Sequence, residues 1–291
     1  MLEKILDTIK TNPVLHVFTN TFLLGNFCWI WGKKNKIKGW LRGMMIRTSI
    51  RVFGHGNRIN IAKGAKLERV KIYIRGHGNE ITFDERCSLY DTSIWMTWDR
   101  HKIHFGKNTT ANNAELAVQD HEGTIDIKDG ALLGGFVSLG LLRRSRTDNI
   151  GIYAFEGTNI TIGEKTCVSD GTVMRSSDSH AIYDQSGTRI NPAKDITVGK
   201  NVWICSETMF LKGAAVGDNS VVGAQSMVTK DFSDIPNALI AGTPAKIIKE
   251  NISWVKTVKE RRRHEKNIVR NQYNGPRRRR NDHVDNDGGI R

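Results

Sequence analysis

The feature that most limits what this chain can fold into is a long repeat that sets in near Gly54 and returns at every twenty-second position. Gly-His-Gly-Asn at 54–57 returns letter for letter at 76–79, and the rhythm continues after the letters drift. Ile59, Ile81, Ile103 and Ile125 form one apolar column, and Ile61, Phe83, Phe105 and Ile127 form the next. Small Ala65, Cys87, Thr109 and Ala131 make a third; Leu67, Leu89, Ala111 and Leu133 make a fourth. A unit this short cannot bury its own apolar face, so units must stack, each covering the last, with strands about 4.8 Å apart along a common axis. The columns predict a mostly β chain built as one parallel β-helix.

Downstream the rhythm shortens. Val198, Ile204, Phe210, Val216, Val222 and Val228 recur at every sixth position, and three such hexads close one triangular coil. Ile162 and Val168 carry the pattern back, so the solenoid is expected from Arg51 to Asp231. Two interruptions, Leu141 to Thr158 and Arg175 to Lys194, must leave a rigid stack as loops, and loops on such scaffolds are where chemistry is usually placed.

The flanks read differently. Residues 11–32 carry no Asp, Glu, Lys or Arg and are followed by Lys33, Lys34, Lys36, Lys38 and Arg42. Asn12, His16, Asn20 and Asn26 make the stretch too polar for a spanning helix, and it has no A-x-A-like cleavage site. Val14, Phe18, Phe22 and Trp29 fall near one helical face. Residues 1–50 are therefore read as a helical segment that packs on the protein or lies in a membrane interface beside the lysines, with packing favoured. The β-helix domain is assigned to 51–235, a cap and helix to 236–270 with Lys246 to Arg270 as the candidate helix, and a basic disordered tail to 271–291.

The formal charge of +14 is uneven, with Arg261 to Arg263 and Arg277 to Arg280 near the C-terminus. No nucleic-acid fold or aromatic-interleaved basic face accompanies these arginines, so no specific nucleic-acid partner is expected, phosphate attraction would be nonspecific and salt-sensitive, and at most surface association or contact with an acidic glycan is left to them. Cys28, Cys87, Cys167 and Cys205 are widely separated, which suggests neither a disulfide framework nor a zinc knuckle and fits a reducing cytoplasm.

Three stretches carry chemistry: SSDSHAIYD at 176–184 with GTRIN at 187–191, ITVGKNVWI at 196–204, and VGDNSVVGAQSMVTKD followed by IAGTPAKIIK, at 216–231 and 240–249. Together they resemble the hexapeptide-repeat acyltransferases, in particular bacterial capsule and exopolysaccharide O-acetyltransferases and the maltose and galactoside acetyltransferases. The resemblance is close over about Ser176 to Lys249 and only general before it. It implies a left-handed β-helix, a homotrimer with active sites between subunits, acetyl-CoA as acyl donor, no metal, and a carbohydrate hydroxyl as acceptor. The acceptor would be a polysaccharide or lipid-linked sugar of the cell surface, modified in the cytoplasm or at the inner face of the membrane.

The resemblance also assigns residues. His180 stands at the motif histidine and would be the general base on the acceptor hydroxyl, a role suited to an imidazole whose ordinary pKa is about 6.5. Trp203 matches the tryptophan beside the reacting centre. Ser206, Ala224, Thr229, Lys230, Lys246 and Lys249 fall on the coenzyme-binding pattern, although relatives often carry arginine at the last two positions. Independently, Ser206 and Ala224 are three hexads apart, hence one coil apart in a single column, where small side chains leave room for an extended pantetheine. Asp178 and Asp184 are near His180 in sequence, but neither spacing fixes a contact, so the group orienting His180 stays open.

Two other function classes compete. His55, His77, Asp99 and His121 share one position of the longer repeat, which admits a zinc site like that of γ-type carbonic anhydrases, although a polar turn ladder explains the same letters. A β-helix can also serve as a binding scaffold without catalysis.

Overall fold

A computed structural model describes residues 24–39, 43–134 and 149–273. Three sheets run the length of the first compact unit, which ends at Ser253, and the chain visits them in a fixed order, coil after coil. The first face starts at Phe27–Trp31, the second at Lys36–Lys38 and the third at Met44–Ile46. Among the described residues the faces hold nine, nine and ten strands, and every strand pair is parallel until the last.

The register repeats the periods seen in the sequence. Ile59 pairs with Ile81, Ile103 with Ile125, and Leu67 with Leu89, each one long repeat further on. Later Trp203 pairs with Val221 and Met209 with Met227, each three hexads further on. All four early columns are buried, as are Val198, Ile204, Phe210, Val216, Val222 and Val228. The core is a stack of these inward side chains, Phe83 on Phe105 among them, with rings 5.4 Å apart.

The recurring Gly-His-Gly-Asn has two structural causes. Asn57 and Asn79 are buried at one corner, where the Nδ2 of Asn57 donates to the Gly76 carbonyl and that of Asn79 to the Trp98 carbonyl, both at 2.9 Å. The Oδ1 of each asparagine accepts the backbone N–H at the same position of the next coil, so corner backbone that leaves the strand ladders is still satisfied. Gly76 sits at φ 151°, and a Cβ there would lie 1.8 Å from the Trp98 carbonyl oxygen, so only glycine fits this close approach of coils.

The stack is longer than expected at both ends. Phe27–Trp31 is a strand of the first face, paired with Ser49–Phe53, so Trp29 is a strand residue and the solenoid starts before Arg51. Val14, Phe18 and Phe22, the rest of the proposed helical face, lie outside the described residues. At the other end Leu239–Gly242 continues the third face, and Ala245–Lys249 folds back on it antiparallel. Lys246 therefore begins no helix: Thr243 and Pro244 turn the chain back between paired Gly242 and Ala245, and strand pairing takes the following residues. The helix is Val258–Tyr273, in a second unit starting at Trp254. Its start is a capping box, with the Thr257 Oγ1 accepting from the Glu260 N–H at 3.2 Å and the Glu260 carboxylate accepting from the Thr257 N–H at 2.8 Å. Most of the basic tail, 274–291, is outside the described residues, and among those described no helix is long and apolar enough to cross a membrane.

Candidate active site

The second interruption leaves the stack after Val173–Arg175 on the first face and rejoins it at Ile196–Val198 on the second. Its base is fixed by Ser176, fully buried: the Ser176 Oγ accepts from the Phe155 N–H at 3.0 Å and from the Thr158 hydroxyl at 2.6 Å. The Ser176 carbonyl accepts from the Lys194 N–H at 3.0 Å, which ties the two ends of the loop together. The tip is a short hairpin in which the Ile190 N–H donates to the Ile182 carbonyl at 2.9 Å. The Asp184 carboxylate accepts from the Ser186 and Thr188 N–H groups at the turn, so its described bonds shape the hairpin.

His180 lies exposed between base and tip, and the segment around it hangs on Asn191. This buried amide donates to the Asp178 carboxylate and to the His180 carbonyl, both at 2.8 Å, and its oxygen accepts from the Ile182 N–H at 2.6 Å. The Lys212 ammonium, one coil on, closes on the Asp178 carboxylate and on the Asn191 carbonyl at 3.3 Å. Hydrogen bonds from Lys212 and then Asn191 hold the Asp178 carboxyl below the usual carboxylate range. Below the loop, Arg189 grips Glu156 with two parallel bonds of 2.6 and 3.0 Å, and the Ser177 hydroxyl adds a third at 2.5 Å. These bonds, led by those of Arg189, lower the Glu156 pKa.

The loop and His180 are readable in the sequence, whereas the parts played by Asn191, Arg189, Glu156 and Lys212 are not. The letters of Arg189 and Asn191 sit inside GTRIN, but Arg189 pairs 33 residues back and Lys212 pairs 34 residues back, on other coils. Only the coil register reveals such pairs.

The remaining candidates divide between two sides of the solenoid. Thr229 and Lys230 form the turn from Met227–Val228 on the first face to Asp231–Phe232 on the second, the same edge from which the His180 loop springs two coils earlier. Trp203 is an outward residue of the third face, 41% exposed, between Cys167 and Val221 in the neighbouring coils. Ser206 and Ala224 are exposed at successive turns from the third face to the first, and the Gln225 N–H donates to the Ser206 carbonyl at 3.0 Å. The exposed Thr243 hydroxyl donates to the Gln225 carbonyl, so small Gly242 continues that column on the next coil. Lys246 and Lys249 belong to the antiparallel strand at the end of the third face. In a three-sided coil the edge between the first and second faces is opposite the third face. One chain thus carries the His180 loop, Thr229 and Lys230 on one side, and Trp203, Ser206, Ala224, Lys246 and Lys249 on the other.

The histidine ladder has another use. The His55 Nδ1 accepts from the Lys33 N–H at 2.8 Å, the His77 Nδ1 from the His55 N–H at 3.0 Å, and the Asp99 carboxylate from the His77 N–H at 2.7 Å. The His55 and His77 rings stack 5.1 Å apart. The Nδ1 atoms of these two rings accept from backbone amides, as a turn ladder requires, and no group of three or more His, Cys, Asp or Glu side chains placed to hold a metal occurs among the described residues.

No family model matches the chain. Curated relatives do. It is 39% identical over 102 residues to a polysialic acid O-acetyltransferase of Escherichia coli O1:K1 / APEC, covering 35% of this chain and 33% of that protein. It is 34% identical over 105 residues to the galactoside O-acetyltransferase of Escherichia coli K12, covering 35% and 49%. The chain thus spans a third to a half of the length of these relatives. A longer match, 30% identical over 171 residues and covering 56% of this chain and 79% of its partner, is to the polysialic acid O-acetyltransferase of Neisseria meningitidis. In fold the chain is similar to the crystal structure of the polySia-specific acetyltransferase NeuO, with a TM-score of 0.60 at 22% identity, over 84% of this chain and 98% of that one.

Proposed function

We propose, because this chain belongs to the hexapeptide-repeat acetyltransferase family, that it moves an acetyl group from acetyl-CoA to a carbohydrate hydroxyl of a surface polysaccharide or its lipid-linked precursor. The observation that carries the reading is the His180 loop: a long insertion held by the Arg189–Glu156 pair and by buried Asn191, whose amide bonds the His180 carbonyl and so fixes the backbone of the motif histidine beside the stack of coils.

His180 is the general base. It takes the proton of the acceptor hydroxyl as the oxygen attacks the thioester carbonyl, and the tetrahedral intermediate expels the coenzyme thiolate, which takes that proton back from the imidazolium. No acyl-enzyme is required. Trp203 borders the reacting centre, and the small column of Ser206 and Ala224 accepts the pantetheine arm. Thr229, Lys230, Lys246 and Lys249 face the coenzyme's polar end, the lysines as point charges for its phosphates. Because the two sets lie on opposite sides of one chain, the site is formed between copies, as in a homotrimer, with His180 from one and Trp203 from the next. The enzyme works in the cytoplasm, where acetyl-CoA is made, at or near the inner face of the membrane.

Thiol release from acetyl-CoA with a panel of bacterial glycans tests this. His180→Ala, folded as the wild type, is expected to lose about 10²- to 10⁴-fold in turnover. Mixing His180→Ala with Trp203→Ala subunits after dissociation should restore wild-type pairs at about a quarter of the interfaces of a random trimer. Turnover by His180→Ala at the wild-type rate defeats the catalytic assignment; mixed subunits that stay silent defeat the shared site.

A further inference from the structure

The outward side of the first face is not used by the chemistry above. Down its middle the register aligns Arg51, Tyr73, Trp95, Ala117, Tyr153 and Arg175 in one column on successive coils. Phe53 flanks it, with its ring centroid 5.8 Å from that of Tyr73, and Tyr73 is 5.5 Å from Trp95, so aromatic surface runs unbroken over three coils. Ala117 leaves a shallow step, after which Tyr153 resumes beneath the Arg175 guanidinium at 4.9 Å. Trp95 is 38% exposed, and Tyr73 and Tyr153 are half-buried.

Nothing in solenoid folding asks for aromatics there. The second face has the same period and the same stacking, and its matching outward column is Asn60, Thr82, His104, Asp126 and Thr161, all polar. Rows of exposed aromatics on a scaffold that builds polar rows equally well mark a binding surface. The charge around the column narrows the partner. Lys71 and Arg75 flank Tyr73, and over the strands from Ser49–Phe53 to Ile150–Phe155 the only acidic outward residue of this face is Glu115. A second copy docking here would bury these cations with little to neutralise them, whereas an anionic partner would match them. The direction is informative too. The column ends at Arg175, and the next residue, Ser176, begins the His180 loop. Coils recur about every 4.8 Å, close to the length of one sugar ring in an extended chain, and sugar rings present flat C–H faces that pack on aromatic rings.

We propose that this column is a track for an anionic polysaccharide, which lies along the solenoid axis with its rings on Tyr73, Trp95 and Tyr153 and its carboxylates at Arg51 and Arg175, and so presents its hydroxyls to the His180 loop. Only that last clause rests on reading the chain as a carbohydrate acetyltransferase; the binding does not.

The experiment is affinity electrophoresis and calorimetry of the full chain, without acetyl-CoA, on polysialic acid, hyaluronate and alginate as anionic probes and dextran as the neutral one. At least one anionic polymer should bind more tightly than dextran and weaken with added salt. Tyr73→Ser with Trp95→Ser should weaken it about tenfold or more, as expected for central aromatic contacts. Should that pair fail to fold, Arg51→Glu with Arg175→Glu should abolish the salt-sensitive part. Melting temperature and sedimentation are followed throughout. The track is overturned if no anionic polymer binds, if dextran binds equally, if the variants bind as the wild type does, or if they change the oligomeric state, which would make this face a contact between copies. Binding without any thiol release would remove the acetyl-transfer reading and leave the track in place.

Discussion

Asn191→Ala isolates positioning from chemistry. The side chain is buried and makes three hydrogen bonds, to the Asp178 carboxylate, the His180 carbonyl and the Ile182 N–H, at 2.8, 2.8 and 2.6 Å. Two neutral bonds at about 1 kcal/mol each and one to a carboxylate at about 2 give about 4 kcal/mol holding the segment around His180. Lys212 on Asp178 and Arg189 on Glu156 survive the substitution, so the loop stays tethered while its middle loosens. Because the loop lies outside the stack, the fall in melting temperature is capped by the free energy of loop closure alone. At about 1.4 kcal/mol per decade, the Ile182 amide should exchange with solvent about 10²- to 10³-fold faster, and a displaced imidazole should cost turnover by about 10²-fold. The pH at which kcat/KM loses its base limb should not move, since Asn191 touches the His180 backbone and not its ring. Asn191→Asp would set a second carboxylate against Asp178 and should be no better. An Ile182 amide as protected as in wild type, with turnover within about twofold, would refute the argument. A shifted base limb would show that Asn191 acts on the imidazole electrostatically.

The loop should loosen in acid. Arg189, then Ser177, hold Glu156 below its ordinary value, and Lys212, then Asn191, do so for Asp178. Depressed folded values mean that these contributions are complete above the ordinary carboxylate range near about pH 4 and are lost as pH falls through the depressed ones. Proteolysis at the hairpin should therefore accelerate below about pH 4 while the strand Ile196–Val198 stays protected, and Glu156→Gln should flatten the response; acid-insensitive cleavage in the wild type would rule this out. Gly76→Ala, whose Cβ would lie 1.8 Å from a carbonyl oxygen, should lower the melting temperature sharply. By contrast Gly187→Ala at the hairpin tip, with φ 80° and nothing within 4 Å, should cost about 1–2 kcal/mol confined to the loop. Equal effects of the two would mean that backbone approach between coils does not limit the stack.

The solenoid was legible because its interior repeats with its letters: Asn57 and Asn79 recur as text because they bond to one another as structure. The first coil was not, for a physical reason. Phe27–Trp31 reads Phe-Cys-Trp-Ile-Trp, apolar on both sides of the strand, so it lacks the alternation that betrays later strands and looks like one face of a helix. Ala245–Lys249 misled in the opposite sense, since its letters suit a helix and antiparallel pairing with Leu239–Gly242 overrides them. In the loop, a motif histidine can be read from the text, but Asn191, Arg189, Glu156 and Lys212 are ordinary surface letters until the register brings distant coils together.

The same rigidity explains how the proposed chemistry is divided. A three-sided coil with fixed register gives each position one edge or face along its whole length, so residues that must meet can do so in one chain only by sharing or adjoining a column or through a loop. Ser206 and Ala224 meet by the first route, and His180 is held in place by the second. Neither route takes Trp203 from the third face to the opposite edge, and lengthening the loop to wrap the stack would cost the anchoring that Asn191 and Glu156 provide. A second copy brings one chain's face against another's edge without bending either, so assembly becomes the least disruptive way for this fold to complete the site proposed for it.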